Sequence, residues 1–302
     1  MTDSLAHYFQ GRGVAGQRGL VVSIGGAADI VLARALAIRL AECGAASVDI
    51  AQTLAVETLP EKQIDQSAWD PLALCPVPGL PPEVFLRHYG RVENQERKPR
   101  DRGKGKRISA ALDLPTGQRF MVAGASTLWD EFLRRPWSGE GSYDFVIGVD
   151  GGGDVIGIDR GCDMRVLDAL TTAMPVEVRF RLAVVGLGAD GTSIEELESA
   201  SLPGWAQEAE FGLPTDFADE LEYGLRQASC WLDDPSRWGP ANPEWNWDLK
   251  VPQIVALAIR GETPSGHAES GNVYFPRRGR QREMRLGWIR SARFYSRSDK
   301  NK

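Results

Sequence analysis

The chain has 302 residues, 42% of them hydrophobic and 25% charged, enough for one large globular domain or two small ones. That composition excludes wholesale disorder, a collagen-like fibre and a disulfide scaffold. No window holds the roughly 18 unbroken apolar residues of a membrane helix, the best candidate, 30–41, being cut by Arg34 and Arg39. The net charge of −6 averages unlike parts: segment 91–107 carries eight basic against three acidic residues and 277–302 ten against two, which leaves −19 on the remainder. The N-terminus has no basic start followed by an apolar core and a cleavage site, so a cytoplasmic location is the default expectation.

The first ordered unit is GLVVSIGGAAD (19–29), leading into 30–44, where Ile30, Ala33, Leu36, Ala37 and Leu40 recur at helical spacing and Gly44 supplies a stop. A strand over 47–54 completes a β-α-β unit, which requires parallel strands and a right-handed crossover. Segments 53–82 and 91–107 read as loops, the first rich in proline and the second almost entirely charged. A strand at 119–123 precedes Ser126 and Thr127 and a helix near 128–133. The next unit is YDFVIGVDGGGD (143–154), followed by a helix over 163–173 that Pro175 stops. RFRLAVVGLGADG (179–191) then leads to Ser193 and a helix with acids in its first turn. Helices are predicted over 216–232 and 251–260, with the tryptophan-containing stretch 233–248 as a cap between them, and 284–295 reads as an antiparallel strand at the sheet edge.

This order predicts one domain over 1–302, a Rossmann-like three-layer α/β sandwich with a mainly parallel sheet. In such a sheet the turns after the strands lie along one edge, where helix N-termini and free amides face a crevice. The glycine and aspartate turns therefore converge there. The candidate ligand-binding residues are Gly25, Gly26, Asp150, Gly151, Gly152, Gly153, Gly188 and Gly191, joined by Ser126 and by Arg160 as an anion clamp. Asp29, Asp154 and Asp190 are the catalytic candidates, since an aspartate at such a turn can act as general base or hold a cation. Clustered carboxylates repel, so either one is protonated or a cation binds. Mg2+ is the expected ion, with Asp29 and Asp154 as its ligands. Aspartate after a strand is equally a good helix cap, and glycine suits a tight β-α turn with no ligand at all.

Other signals are weaker. Asp159, Asp163, Arg165 and Asp168 follow the GVDGGGD turn, and ion pairs along a helix account for them equally well. His267 lies in a glycine- and serine-rich loop. The four cysteines, Cys43, Cys75, Cys162 and Cys230, form no metal-ligand spacing and read as buried thiols. No phosphate-binding G-x-x-x-x-G-K-[ST] occurs, and Gly25 and Gly26 lack the third glycine of a dinucleotide fingerprint.

The order SIGGAAD, GVDGGGD and GLGADG resembles a prokaryotic family catalogued as domain of unknown function eleven fifty-two, over about residues 18–260. The resemblance implies a Rossmann-like domain and assigns no reaction. It places the family's glycine-acid turns on Gly25, Gly26 and Asp29, on Asp150, Gly152, Gly153 and Asp154, and on Gly188, Asp190 and Gly191. Here Ala27 and Ala28 stand where the family's first turn is richer in glycine, which crowds a close-bound ligand.

The leading expectation is an enzyme acting on a small polar metabolite, phosphorylated or nucleotide-like, by hydrolysis or group transfer. An accessory ligand-binding protein, in which the acids only cap helices, is the alternative. A nucleic-acid binder using 91–107 and the basic tail 277–302 is a further alternative, disfavoured by the acidic body and the scarcity of aromatics among the basic segments. Monomer and dimer are both compatible with the sequence.

Overall fold

The run Arg18–Ser23 forms strand β1, and every residue after Arg18 is buried because helices cover both faces of the sheet. The computed structural model describes residues 4–24, 29–54, 113, 117, 119–123, 133, 143–156, 162–229, 251–277 and 280–298. Helix α1 (Ser4–Gly11) precedes β1 and was not predicted; its Leu5 and Phe9, one turn apart, are both buried. Helix α2 (Asp29–Glu42) follows β1 as expected, then β2 (Ser47–Leu54), β3 (Arg119–Ala123), β4 (Phe145–Gly151), α3 (Cys162–Ala173) and β5 (Arg179–Val185). After β5 come α4 (Ile194–Ser199), β6 (Trp205–Gly212), α5 (Thr215–Ser229) and α6 (Val251–Ile259). Two short hairpins, β7 (Glu262–Thr263) with β8 (Gly266–His267) and β9 (Asn272–Arg277) with β10 (Arg280–Arg285), precede α7 (Leu286–Ile289) and β11 (Ser291–Arg297).

The main sheet has the order β3-β2-β1-β4-β5-β11-β6. Strands β3, β2, β1, β4 and β5 are mutually parallel, and β11 is antiparallel to both of its neighbours. Without β11 the order is that of the doubly wound dinucleotide folds. Chain direction across the sheet reverses between β1 and β4, since β2 and β3 build outward on one side and β4 and β5 on the other. The crevice for a ligand in such folds opens at that reversal.

One expectation is corrected. The C-terminal strand is antiparallel but is not an edge: it lies between β5 and β6, with Ala292 and Phe294 buried. It also starts at Ser291, since Arg280–Arg285 belongs to a hairpin and Leu286–Ile289 to a helical turn. The edge on that side is β6, which was not predicted although Glu208, Ala209, Glu210 and Phe211 alternate polar and apolar. It is held by Phe211 packing on Phe294 and by charge pairs, Glu208 with Arg181 at 3.1 Å and Glu210 with Arg293 at 3.0 Å. Arg285 meets Glu198 at 2.7 Å, so part of the basic C-terminal segment docks on acids of the body.

Two cores result. One joins α1, α2, α5 and α6 to the sheet through residues such as Val21, Leu36, Phe217, Ile254 and Phe294; the other packs α3 and α4 through Val166, Leu170, Leu197 and Val184. Cys43 is buried, as expected, and its thiol donates to the Ala6 carbonyl at 3.9 Å. Among the described residues no helix is long and apolar enough to cross a membrane.

Helix α2 is buried from Asp29 to Ala37, an unusual length for a helix containing Arg34. The Arg34 guanidinium is satisfied on every side. It donates to Asp113 Oδ1 at 2.7 Å and to Glu220 Oε2 at 2.8 Å, and it lies 5.0 Å from the centre of the Tyr223 ring, whose hydroxyl in turn donates to Asp113 Oδ2 at 2.9 Å. This network ties α2 to α5. Arg34→Met is expected to destabilise the protein by about 2 kcal/mol, below the figure for a fully buried pair because both carboxylates are partly solvated. Denaturant unfolding with an unchanged m-value checks it.

Candidate active site at the carboxyl edge

Strand β4 ends in Val149, Asp150 and Gly151 with no solvent exposure at Asp150. Asp150 is carried on the face that packs against α3, and neither of its carboxylate oxygens has a hydrogen-bond partner among the described residues. A contrasting buried aspartate stands on β2. Asp49 accepts hydrogen bonds from Arg18 at 3.1 Å and from the Tyr143 hydroxyl at 2.8 Å, as a purely structural carboxylate should. An unsatisfied buried carboxyl costs about 1–3 kcal/mol or more, so Asp150 is unexplained by the fold alone.

Two other aspartates meet it. Asp29 is the first residue of α2 and is buried; Asp163 is in the first turn of α3 and is half-buried. One carboxylate oxygen from each of Asp29, Asp150 and Asp163 lies within 4.8 Å of the others. The two helix N-termini favour negative charge there, and the glycine after Asp150 makes room: a Cβ at Gly151 would stand 2.7 Å from Asp29 Oδ1. Burial, followed by the charges of Asp163, Asp29, Asp154 and Asp190, holds the Asp150 carboxyl well above the usual carboxylate range. Burial and the charge of Asp154 push Asp163 up to about 7.

Asp190, after β5, forms a second pair. It is buried and accepts from Thr192 through the backbone N–H at 3.0 Å and the hydroxyl at 2.6 Å. Burial and a hydrogen bond to Asp154 push its pKa up to about 8, against the lowering effect of Thr192. At neutral pH Asp190 therefore holds a proton and shares it with Asp154, which is exposed. The two turns also clasp each other through the backbone. The Gly152 N–H donates to the Val185 carbonyl at 3.0 Å, and the Gly152 carbonyl accepts from the Gly188 N–H at 2.6 Å.

The structure thus brings together Asp29, Asp150, Asp154 and Asp190 with Gly151, Gly152, Gly153 and Gly188. Gly191 closes the β5 turn by donating to the Gly188 carbonyl at 3.0 Å. Asp163, a weaker candidate in the sequence, completes the group whose oxygens converge, while Asp154 stands outside that group, beside Asp190. Ser193 is a helix cap: its side chain accepts from the Glu196 N–H at 3.2 Å, and Glu196 closes the reciprocal bond to the Ser193 N–H. His267 lies exposed in the β7-β8 hairpin. Gly25, Gly26, Ala27, Ala28, Ser126, Thr127, Asp159 and Arg160 lie outside the described residues, as do the segments 55–82 and 91–107 and the cap 233–248.

Two polar atoms escaped the sequence reading. Ser23 Oγ, at the end of β1, and Gln52 Oε1, near the end of β2, are buried without a hydrogen-bond partner among the described residues. They are register partners on adjacent strands, at the same edge as Asp150 and on the α2 side of the sheet. Their signal was a polar residue closing an apolar strand, as in Leu-Val-Val-Ser.

No family model matches this chain, and no curated protein matches it significantly.

Proposed function

We propose that the protein is an enzyme acting on a small polar metabolite, phosphorylated or nucleotide-like, by hydrolysis or group transfer at the edge between β1 and β4. The observation that carries this reading is Asp150, a carboxyl with no solvent exposure and no hydrogen-bond partner among the described residues, at the switch point of a doubly wound sheet. Ser23 and Gln52 add buried polar atoms without a hydrogen-bond partner among the described residues at the same edge. Asp190 adds a proton held near neutral pH. Through Asp154, the exposed member of that pair, the proton can be given to a leaving group or recovered from an attacking water. Membership of the family that the three turns resemble is part of the same proposal.

A panel of nucleotides and sugar phosphates, screened by thermal shift with Mg2+ present and followed by a phosphate-release assay, tests this reading. At least one compound is expected to raise the melting temperature and to turn over. Asp154→Asn is expected to keep binding and lose turnover by about 100-fold or more, the usual contribution of a positioned acid or base. A panel in which nothing binds would favour the accessory protein, with the acids as helix caps.

A further inference from the structure

We propose that Asp29, Asp150 and Asp163 together bind one divalent, oxygen-preferring cation, Mg2+ or Mn2+, in the crevice between β1 and β4. The inference rests on the proposed function for the use of the ion, though not for its binding.

Three features point to it, the first two from the structure and the third from the proposed use of the ion. The first is convergence. Oxygens of all three side chains lie within 4.8 Å of one another, although they come from the end of a strand and from the starts of two different helices. Ligand oxygens at about 2.1 Å from an octahedral ion are about 3–4 Å apart, so a small inward movement of each carboxylate completes one face of the coordination shell. The second is Asp150 itself. A helix cap explains an aspartate at the start of α2 or α3, but Asp150 is on a strand, has no solvent exposure and leaves both oxygens unbonded. The third is the substrate chemistry. A phosphorylated or nucleotide-like ligand approaching Asp29, Asp150, Asp154 and Asp163 meets acidic groups that offer it no positive charge, and a cation held by Asp29, Asp150 and Asp163 supplies one. Three monodentate ligands leave three octahedral positions for water or ligand oxygens, the usual arrangement for Mg2+ at phosphoryl groups.

Metal-stripped protein titrated with Mn2+ alone, followed by electron paramagnetic resonance, reads binding without any metabolite. One strong site per chain is expected in the wild type. Asp150→Asn and Asp163→Asn are each expected to weaken it at least tenfold, and Glu177→Gln, which removes an exposed carboxylate, to leave it unchanged. Mg2+ is expected to compete for the Mn2+ site. Melting curves without metal control for folding, and Asp163→Asn serves as the second variant should Asp150→Asn not fold. The proposal is overturned by a wild type with no strong Mn2+ site, or by affinity that survives both Asp150→Asn and Asp163→Asn. Mn2+ binding with no metabolite hit would leave the cation site standing and remove the proposed function. Metabolite binding that persists in excess chelator, with no Mn2+ site, would do the reverse.

Discussion

Gly152→Ala is expected to lower the stability of the protein by about 3–5 kcal/mol, a large part of the 5–15 kcal/mol typical of a folded domain. Two effects add. Gly152 has φ +98°, where a side chain strains the backbone by about 1–3 kcal/mol. Its new Cβ would also fall 2.5 Å from the Asp190 Cβ and 2.7 Å from the Asp190 backbone nitrogen, an overlap costing about 1–3 kcal/mol more. Neither turn can yield without breaking the bonds from Gly152 to Val185 and from Gly188 to Gly152. Gly204→Ala separates the two effects, because Gly204 also has positive φ, +79°, but faces open space. That substitution should cost about 1–2 kcal/mol, from strain alone. Chemical denaturation of both variants checks the difference. Equal losses would mean that the contact between the β4 and β5 turns contributes nothing.

The clasp explains why the sequence revealed this part of the site so well. GVDGGGD is dense in glycine because the β4 turn must pass within contact of Asp190 on one side and Asp29 on the other, and only residues without a side chain permit both approaches. Steric demand of that kind is written in the residue types themselves. The same holds for α2, α3 and α6, whose apolar spacing fixed their limits to within three residues.

Elsewhere the information was tertiary. Asp163 lies in the cluster because α3 starts beside the end of β4, and nothing in a thirteen-residue separation tells that placement from a solvated cap. Ser23 and Gln52 became visible only as register partners. The strand β6 is held by charge pairs with Arg181 and Arg293 from distant segments, and its own signal is only a four-residue alternation over 208–211. The misplacing of β11 at the edge has a related cause. A terminal strand defaults to an edge, yet Ala292 and Phe294 are buried there because β6 had already taken the outer position.

The metal-free protein is expected to lose stability as pH rises from about 5 to about 8, the opposite of the usual acid denaturation. Asp163 and Asp190 titrate near 7 and 8 in the folded chain against an ordinary value of 3.8, and Asp150 is raised too. Between those limits the native state keeps protons that the unfolded chain has released. Their stabilising contribution is therefore complete below about pH 4 and is lost as pH passes through 7 and 8. Each such group contributes a slope of up to about 1.4 kcal/mol per pH unit, so the loss amounts to several kcal/mol. Carboxylates with partners act in the opposite sense. Burial raises Asp113 and Glu208, but hydrogen bonds outweigh it and lower both, so their smaller contribution disappears only as pH falls below the ordinary carboxylate range. The melting temperature without metal should accordingly peak in mild acid. Asp190→Asn should flatten its decline, because the amide has no proton to lose, and saturating Mg2+ should flatten it further if the three-carboxylate site binds the ion. A melting temperature that is constant or rising from pH 5 to 8 in chelator would show that these aspartates are ionised in the folded state at no cost, which would require partners other than one another.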